Sequence, residues 1–354
     1  MKREIFRYSG KFETESGEII EPLEICYHHT ANYSPGKKVI WICHALTANS
    51  NPVEWWEGLT GAGKLFDTEK FYIICANVLG SCYGSSGPAS YDKEGRQYLL
   101  TFPQVTVRDS VKAHNILREA LGIEHIDLIT GGSIGGFQAL EWAVTYPGLV
   151  KNLVLIACNS QVSPWGTAFN ESQRMALLAD PTFKEQESID GGKRGLEAAR
   201  SIALLSYRSY EGYGISQQEP DGEQLFANKA CSYQQYQGEK LSARFDAYSY
   251  YTLTKSIDSH NAGRNRGGVV KALSQITANT LVIGIDSDVL FPIEEQQFMA
   301  KHIPNAKFAT IKSLFGHDGF LLEYRQTEEA IKNCYPELFS KKKSTTNKKV
   351  YAGS

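Results

Sequence analysis

Short apolar runs recur along this chain at residues 24–28, 38–44, 71–77, 126–130, 152–157, 280–285 and 308–312. Most are rich in Val, Ile and Leu without polar alternation, the pattern of strands buried on both faces of a parallel sheet. Stretches with helical periodicity follow at 106–121, 136–146, 293–302 and 321–335. Strands alternating with helices predict an α/β fold built on a doubly wound, mostly parallel sheet. The first two runs precede any helix and read as an antiparallel hairpin at the sheet edge.

One interval breaks the alternation. Residues 159–279 are rich in Tyr, Gln, Ser and Ala, with helical patches at 170–179, 195–205 and 243–256 and no strand. Unstructured loops rarely reach such length inside a compact domain, so the interval reads as an inserted helical cap, or lid. The domain organisation expected is a sheet core over 1–162, the cap over 163–266, the rest of the core over 267–339, and a tail over 340–354. The tail carries five lysines and little that is apolar, the composition of a solvated, flexible terminus.

Composition narrows the functional classes. With 42% hydrophobic and 21% charged residues over 354 positions, the chain can bury a sizeable core. Its formal charge of −2 gives no basic footprint for nucleic acid or an anionic membrane surface. The opening Met-Lys-Arg-Glu-Ile-Phe has no apolar stretch behind its charges, so no secretory signal is read there. No apolar run approaches the roughly 20 residues that span a bilayer. The seven cysteines form no Cys-x-x-Cys pair, and several sit inside apolar runs, as thiols do in a reducing compartment. The expectation is a cytoplasmic enzyme with neither nucleic-acid nor membrane partners.

The chemistry is announced by Gly131-Gly132-Ser133-Ile134-Gly135, a Gly-x-Ser-x-Gly match between a predicted strand and a predicted helix. In that context the motif forms a nucleophile elbow, a strained turn that presents the serine hydroxyl. Glycines two residues either side are needed because side chains there would collide with the adjoining strand or helix. The helix that follows aims free N–H groups at developing negative charge.

A serine hydroxyl needs a base, and in this fold type the chain order is Ser, acid, His. Only His260, His302 and His317 follow Ser133. His260 falls in the cap and His302 closes a helix, whereas His317 lies in a Gly-flanked loop after the last strand. His317 is therefore the base. The acid should follow the preceding strand, where Asp286 and Asp288 both stand. Asp288, on the loop beyond, can reach sideways to the imidazole; Asp286 reads as a turn carboxylate accepting backbone N–H groups. The oxyanion hole then needs the N–H of Ile134 and a second from the loop after the strand ending near His44, for which Leu46 is the candidate. His44 itself precedes the serine and reads as structural.

Several strings together resemble homoserine O-acetyltransferases of the α/β-hydrolase type: His44-Ala-Leu-Thr47, Asn77-Val-Leu-Gly-Ser-Cys-Tyr-Gly-Ser-Ser-Gly-Pro88, Gly131-Gly-Ser-Ile-Gly-Gly-Phe-Gln-Ala-Leu-Glu-Trp142, Ser287-Asp-Val-Leu-Phe-Pro292 and Gly316-His-Asp-Gly-Phe320. Cap strings beginning at Trp165, Ala199 and Arg244 belong to the same likeness, which spans about residues 5–335. It implies an α/β-hydrolase fold and acetyl transfer from acetyl-CoA, a co-substrate, to the side-chain hydroxyl of L-homoserine, a step towards methionine. It implies no metal and no bound redox cofactor, and a homodimer assembled through the cap. By the same likeness, Arg200 binds the substrate carboxylate and Asp318 its ammonium. Gly319 and Ile134 depart from the commoner family wording, alanine and methionine. Succinyl for acetyl, or serine for homoserine, would keep every motif named, and an esterase-type serine hydrolase would keep the triad.

Overall fold

A computed structural model describes residues 1–339 apart from positions 32 and 227, so the expected solvated tail over 340–354 lies outside the described residues. Eight strands form the main sheet: β1 (Lys2–Tyr8), β2 (Leu23–His29), β3 (Val39–Cys43), β4 (Tyr72–Ala76), β5 (Leu128–Gly132), β6 (Asn152–Ile156), β7 (Asn279–Ile285) and β8 (Lys307–Ile311). Their order is β1-β2-β4-β3-β5-β6-β7-β8. From β4 onward every pairing is parallel; β1 with β2 and β2 with β4 are antiparallel.

The edge differs from the expected hairpin. The second run does not pair with the first, because β4 lies between them: Tyr27, His28 and His29 of β2 face Ala76, Cys75 and Ile74 of β4. The true hairpin partner of β2 is β1, in register from Lys2↔His29 to Tyr8↔Leu23. Its residues mix charged and apolar groups on a half-exposed ribbon, as edge strands do to discourage further pairing. Such a segment carries no continuous apolar signal.

The apolar strand residues serve two layers. Val39, Trp41 and Cys43 point into a core with Phe137, Leu140 and Trp142, whereas Ile40 and Ile42 point into another with Trp56, Phe66 and Ile331. This is the period-2 alternation of a strand with both faces covered. Helix α1 (Val107–Ala120) opens with a capping box between Thr106 and Asp109. Helix α2 (Ile134–Thr145) follows β5 directly and is buried along nearly its whole length.

After β6 the chain builds the helical cap. Its main helices are α3 (Pro164–Ala179), α4 (Lys193–Tyr207), α5 (Tyr210–Gln217), α6 (Asn228–Ser242) and α7 (Ala247–Asp258). Helices α5 and α6 were not anticipated, because their polar, exposed sequences have little apolar periodicity to detect. The chain leaves the core at Gln161 and re-enters beside it at Asn261, the two pairing antiparallel. His260 braces this neck, donating from Nε2 to Asn159 O (3.0 Å) and stacking on Phe137 at 4.0 Å. Helices α8 (Ile293–His302) and α9 (Tyr324–Cys334) complete the core; a break at Glu323 divides the expected 321–335 helix. No helix among the described residues is long and apolar enough to cross a membrane.

Candidate active site

Ser133 sits at the C-terminal end of β5 with φ 59° and ψ −129°, a conformation that costs an L-residue about 1–3 kcal/mol. The glycines around it are explained by backbone contact. A Cβ on Gly131 would lie 2.8 Å from the Cys43 carbonyl oxygen, and one on Gly135 would run into that same carbonyl. Strand β3 thus packs directly against the elbow, and only hydrogen fits on either glycine. Ser133 N donates to Ile156 O of β6 (3.0 Å), which fixes the turn from the other side.

The expected base and acid, His317 and Asp288, are brought together from two loops. His317 Nδ1 donates to Asp288 Oδ2 at 2.7 Å, with both side chains buried. The other carboxylate oxygen, Oδ1, accepts the N–H groups of Leu290 (2.8 Å) and Phe291 (3.0 Å). The carboxylate is thereby pinned, and the imidazole is held with Nδ1 as its donor and Nε2 without a hydrogen-bond partner among the described residues. Rings of Tyr207, Phe291 and Phe320 surround the imidazole at 5.2–5.9 Å. Asp286 is exposed, and its Oδ1 accepts the Ser313 N–H at 3.0 Å, a turn carboxylate remote from the imidazole's hydrogen bonds.

Leu46, Ser133 and Ile134 line one small recess. Ile134 is the first residue of α2, so its N–H has no intrahelical acceptor. Leu46 is the second residue of a turn closed by Ala48 N to Ala45 O (3.1 Å), a bond that leaves the Leu46 N–H uncommitted. His44 supports that turn: its Nδ1–H donates to Ala45 O (2.8 Å) and its Nε2 accepts the Val78 N–H (3.0 Å). Burial pushes the His44 pKa down to about 4, so it is a neutral structural imidazole.

A cavity of about 500 Å³ lies over the serine and is walled by Leu46, Ser133, His317, Arg200, Asp318 and Arg244 among others. Arg200 comes from α4 in the cap, with its guanidinium 5.4 Å from the Tyr207 ring and its Nε without a hydrogen-bond partner. Asp318 is not free of protein partners: its Oδ2 is ion-paired with Arg208, which follows α4 and also donates to Tyr233 Oη (3.2 Å). The His317 loop is closely docked on the cap at this point. A Cβ on Gly316 would sit 2.6 Å from the Arg208 carbonyl carbon, and Ser209 Oγ donates to Leu314 O at 2.5 Å. Gly319 stands in place of the alanine expected from the family wording, and a Cβ there would crowd Ser313 Oγ at 2.9 Å.

Tyr83, Tyr207, Arg208 and Arg244 carry no expected role, although each lies inside a string of the family likeness. Arg208 and Arg244 both lie in the cap strings that carried the likeness, which was the available signal. Their partners lie far away in sequence.

The chain matches the family model described as alpha/beta hydrolase fold over residues 38–324. It is 43% identical to the homoserine O-acetyltransferase of Cyclobacterium marinum over 339 residues, covering 95% of this chain and 96% of that one. Among solved structures, the homoserine O-acetyltransferase from Staphylococcus aureus is 30% identical with a TM-score of 0.79, over 96% of both chains. Esterase E22 superposes with a TM-score of 0.84 at 23% identity, over 94% of this chain and 99% of that one, a likeness of fold alone.

Proposed function

The chain belongs to the homoserine O-acetyltransferase family of α/β hydrolases, and we propose that it moves the acetyl group of acetyl-CoA to the side-chain hydroxyl of L-homoserine through an acyl-Ser133 intermediate. His317 Nε2 takes the Ser133 proton as Oγ attacks the thioester carbonyl. The tetrahedral oxyanion is held by the Ile134 and Leu46 N–H groups. Collapse breaks the C–S bond, and His317 returns the proton to the leaving thiolate, releasing CoA. Homoserine then gives its hydroxyl proton to His317 Nε2, its oxygen takes the acetyl group, and the proton returns to Ser133. Asp288 stays ionised throughout and stabilises the imidazolium.

The observation that carries this reading is the 2.7 Å bond from buried His317 Nδ1 to a carboxylate already committed to two backbone N–H groups. It leaves Nε2 as the basic nitrogen. Arg200 and Asp318 on the same cavity wall supply one charge of each sign, which suits an α-amino acid zwitterion. Because Asp318 is paired with Arg208, the arriving ammonium shares or exchanges that partner. Holding the acceptor in attack geometry supplies an effective molarity of roughly 10⁵ M or more, so transfer outruns hydrolysis.

Mass spectrometry after mixing with acetyl-CoA alone tests the intermediate: acetylation on Ser133 is expected, and its absence with turnover intact would favour direct transfer. Assays of homoserine against acetyl-CoA and succinyl-CoA test the donor. We place the enzyme in the cytoplasm and read it as a homodimer. The cap supports the dimer with apolar side chains turned outward, Tyr210, Leu225 and Phe226 at 97%, 85% and 72% exposure. Light scattering on the eluted protein tests that reading, and a monomer at micromolar concentration would end it.

A further inference from the structure

The turn that presents the Leu46 N–H is anchored unequally. On its core side, His44 Nδ1 donates to Ala45 O, and Gln138 Nε2 of α2 donates to His44 O at 3.1 Å. Its outer half, Thr47, is held by a single side chain among the described residues, and that side chain belongs to the cap. Arg244 Nη1 donates to Thr47 O at 2.6 Å and to Tyr83 Oη at 2.6 Å, while Nη2 reaches Thr47 Oγ1 at 3.4 Å.

Arg244 is well placed to act as a fixed post. It lies on the short connection between α6 and α7, with its own N–H bonded to Leu241 O (3.0 Å). Next to it, buried Phe245 packs edge-on to the Tyr83 ring at 5.6 Å, and Asp246 caps α7 through the Ser249 N–H at 2.7 Å. The guanidinium is exposed, walls the catalytic cavity, and has no carboxylate in ion-pair range among the described residues. All its short contacts are with neutral acceptors, so its hydrogen bonding is spent on geometry and not on neutralising a charge. A planar guanidinium holding a carbonyl and a hydroxyl of one residue fixes position and angle together.

We infer that Arg244 is a positioning residue that sets the oxyanion hole from the cap: by gripping Thr47 it aims the Leu46 N–H at the acyl oxygen over Ser133. The inference rests on the acyl-serine reading above. It also makes the hole a joint product of core and cap, since one donor, Ile134, is fixed by β5–α2, while the turn carrying the other is held by His44 and Gln138 on its core side and by a cap arginine 197 residues away on its outer side. Where the cap is displaced, the second donor loses its outer brace.

The test compares wild type with Arg244→Met and Arg244→Lys in the complete enzyme. Stopped-flow release of CoA without homoserine reads acylation, and calorimetry reads CoA affinity. An alkyl boronic acid, which forms an anionic tetrahedral adduct on the serine, reads the oxyanion hole directly. Arg244→Met is expected to slow the CoA burst by about 10- to 100-fold, less than the roughly 10²- to 10³-fold lost when a donor is deleted outright. Boronate affinity should fall in step, while the Kd for CoA stays within about twofold. Arg244→Lys should recover little, and added ethylguanidinium should partly rescue Arg244→Ala, a readout that a merely structural role would not move. An unchanged burst in Arg244→Met, an unchanged boronate affinity, or a loss carried wholly by CoA affinity each overturns the inference. If wild type itself shows no burst, the acyl-serine reading fails instead.

Discussion

Replacing Asp288 by asparagine isolates what the carboxylate does for His317. Its Oδ1 accepts two backbone N–H groups, from Leu290 and Phe291, and its Oδ2 accepts the His317 Nδ1–H. Asparagine has one acceptor oxygen. If that oxygen stays with the two N–H groups, the new NH₂ faces His317 Nδ1, which must then be unprotonated; the ring proton moves to Nε2, and the base is blocked. If the amide flips, two buried N–H groups lose their acceptor at about 1–3 kcal/mol each. The flipped, competent rotamer is then depopulated by roughly 30-fold to 10⁴-fold. In the serine-protease triad the corresponding change costs about 10⁴ in turnover. The expectation here is a loss of about 10³- to 10⁴-fold, or roughly 4–5.5 kcal/mol of transition-state stabilisation, in both the CoA burst and steady-state product formation. The melting midpoint should barely move, because the side chain keeps its volume and its backbone bonds. Asp286→Asn is the control: it accepts one exposed N–H, which an amide oxygen also does, so activity should remain within a few fold. Activity of Asp288→Asn within tenfold of wild type, or a crippled Asp286→Asn, would refute the assignment.

Ser133→Ala should lower turnover by on the order of 10⁶-fold, and adding His317→Ala should cost little more because the residues act as one unit; additive losses would count against that. Asp318→Asn and Arg200→Lys should impair homoserine attack while leaving the CoA burst largely intact, and a burst slowed as much as turnover would remove the clamp. The pH dependence of stability follows from three buried histidines, His44, His114 and His260, each with its pKa lowered to about 4 by burial. A lowered folded-state pKa means that the unfolded chain binds these protons first. Stability is therefore full above the unfolded value of about 6.5 and is lost as pH falls from there towards 4. With nearly three protons taken up, these histidines contribute a slope on the order of 3–4 kcal/mol per pH unit between pH 6 and 5, opposed in part by Asp109, Asp246 and Glu295, whose carboxyls burial holds above their usual range; urea titrations in which stability does not fall across that range would contradict it.

What the sequence by itself determined was local or repeated. Buried strands announce themselves by unbroken apolar runs such as Val39–Cys43, because both faces of a covered sheet exclude water. The elbow is legible because its glycines and serine must be neighbours, and because Ser, acid and His each follow a recognisable strand. Asp288 and His317 could be named for the same reason, as loop residues that a parallel sheet delivers to one edge. The edge strand Lys2–Tyr8 was illegible, since a half-exposed ribbon mixes charge with apolar residues. So were the order of β2 and β4 and the cap helices that bury little. Most of all, only the tertiary structure decided who partners whom across long separations. Arg208 meets Asp318, and Arg244 meets Thr47, because the folded cap lays its helix ends against the loops of the core. An arginine's sequence neighbours say nothing of the carboxylate or carbonyl it will find. That choice is made by the packing of helices whose contacts are nonlocal, and there the site acquires its charge pairing and the brace on its oxyanion turn.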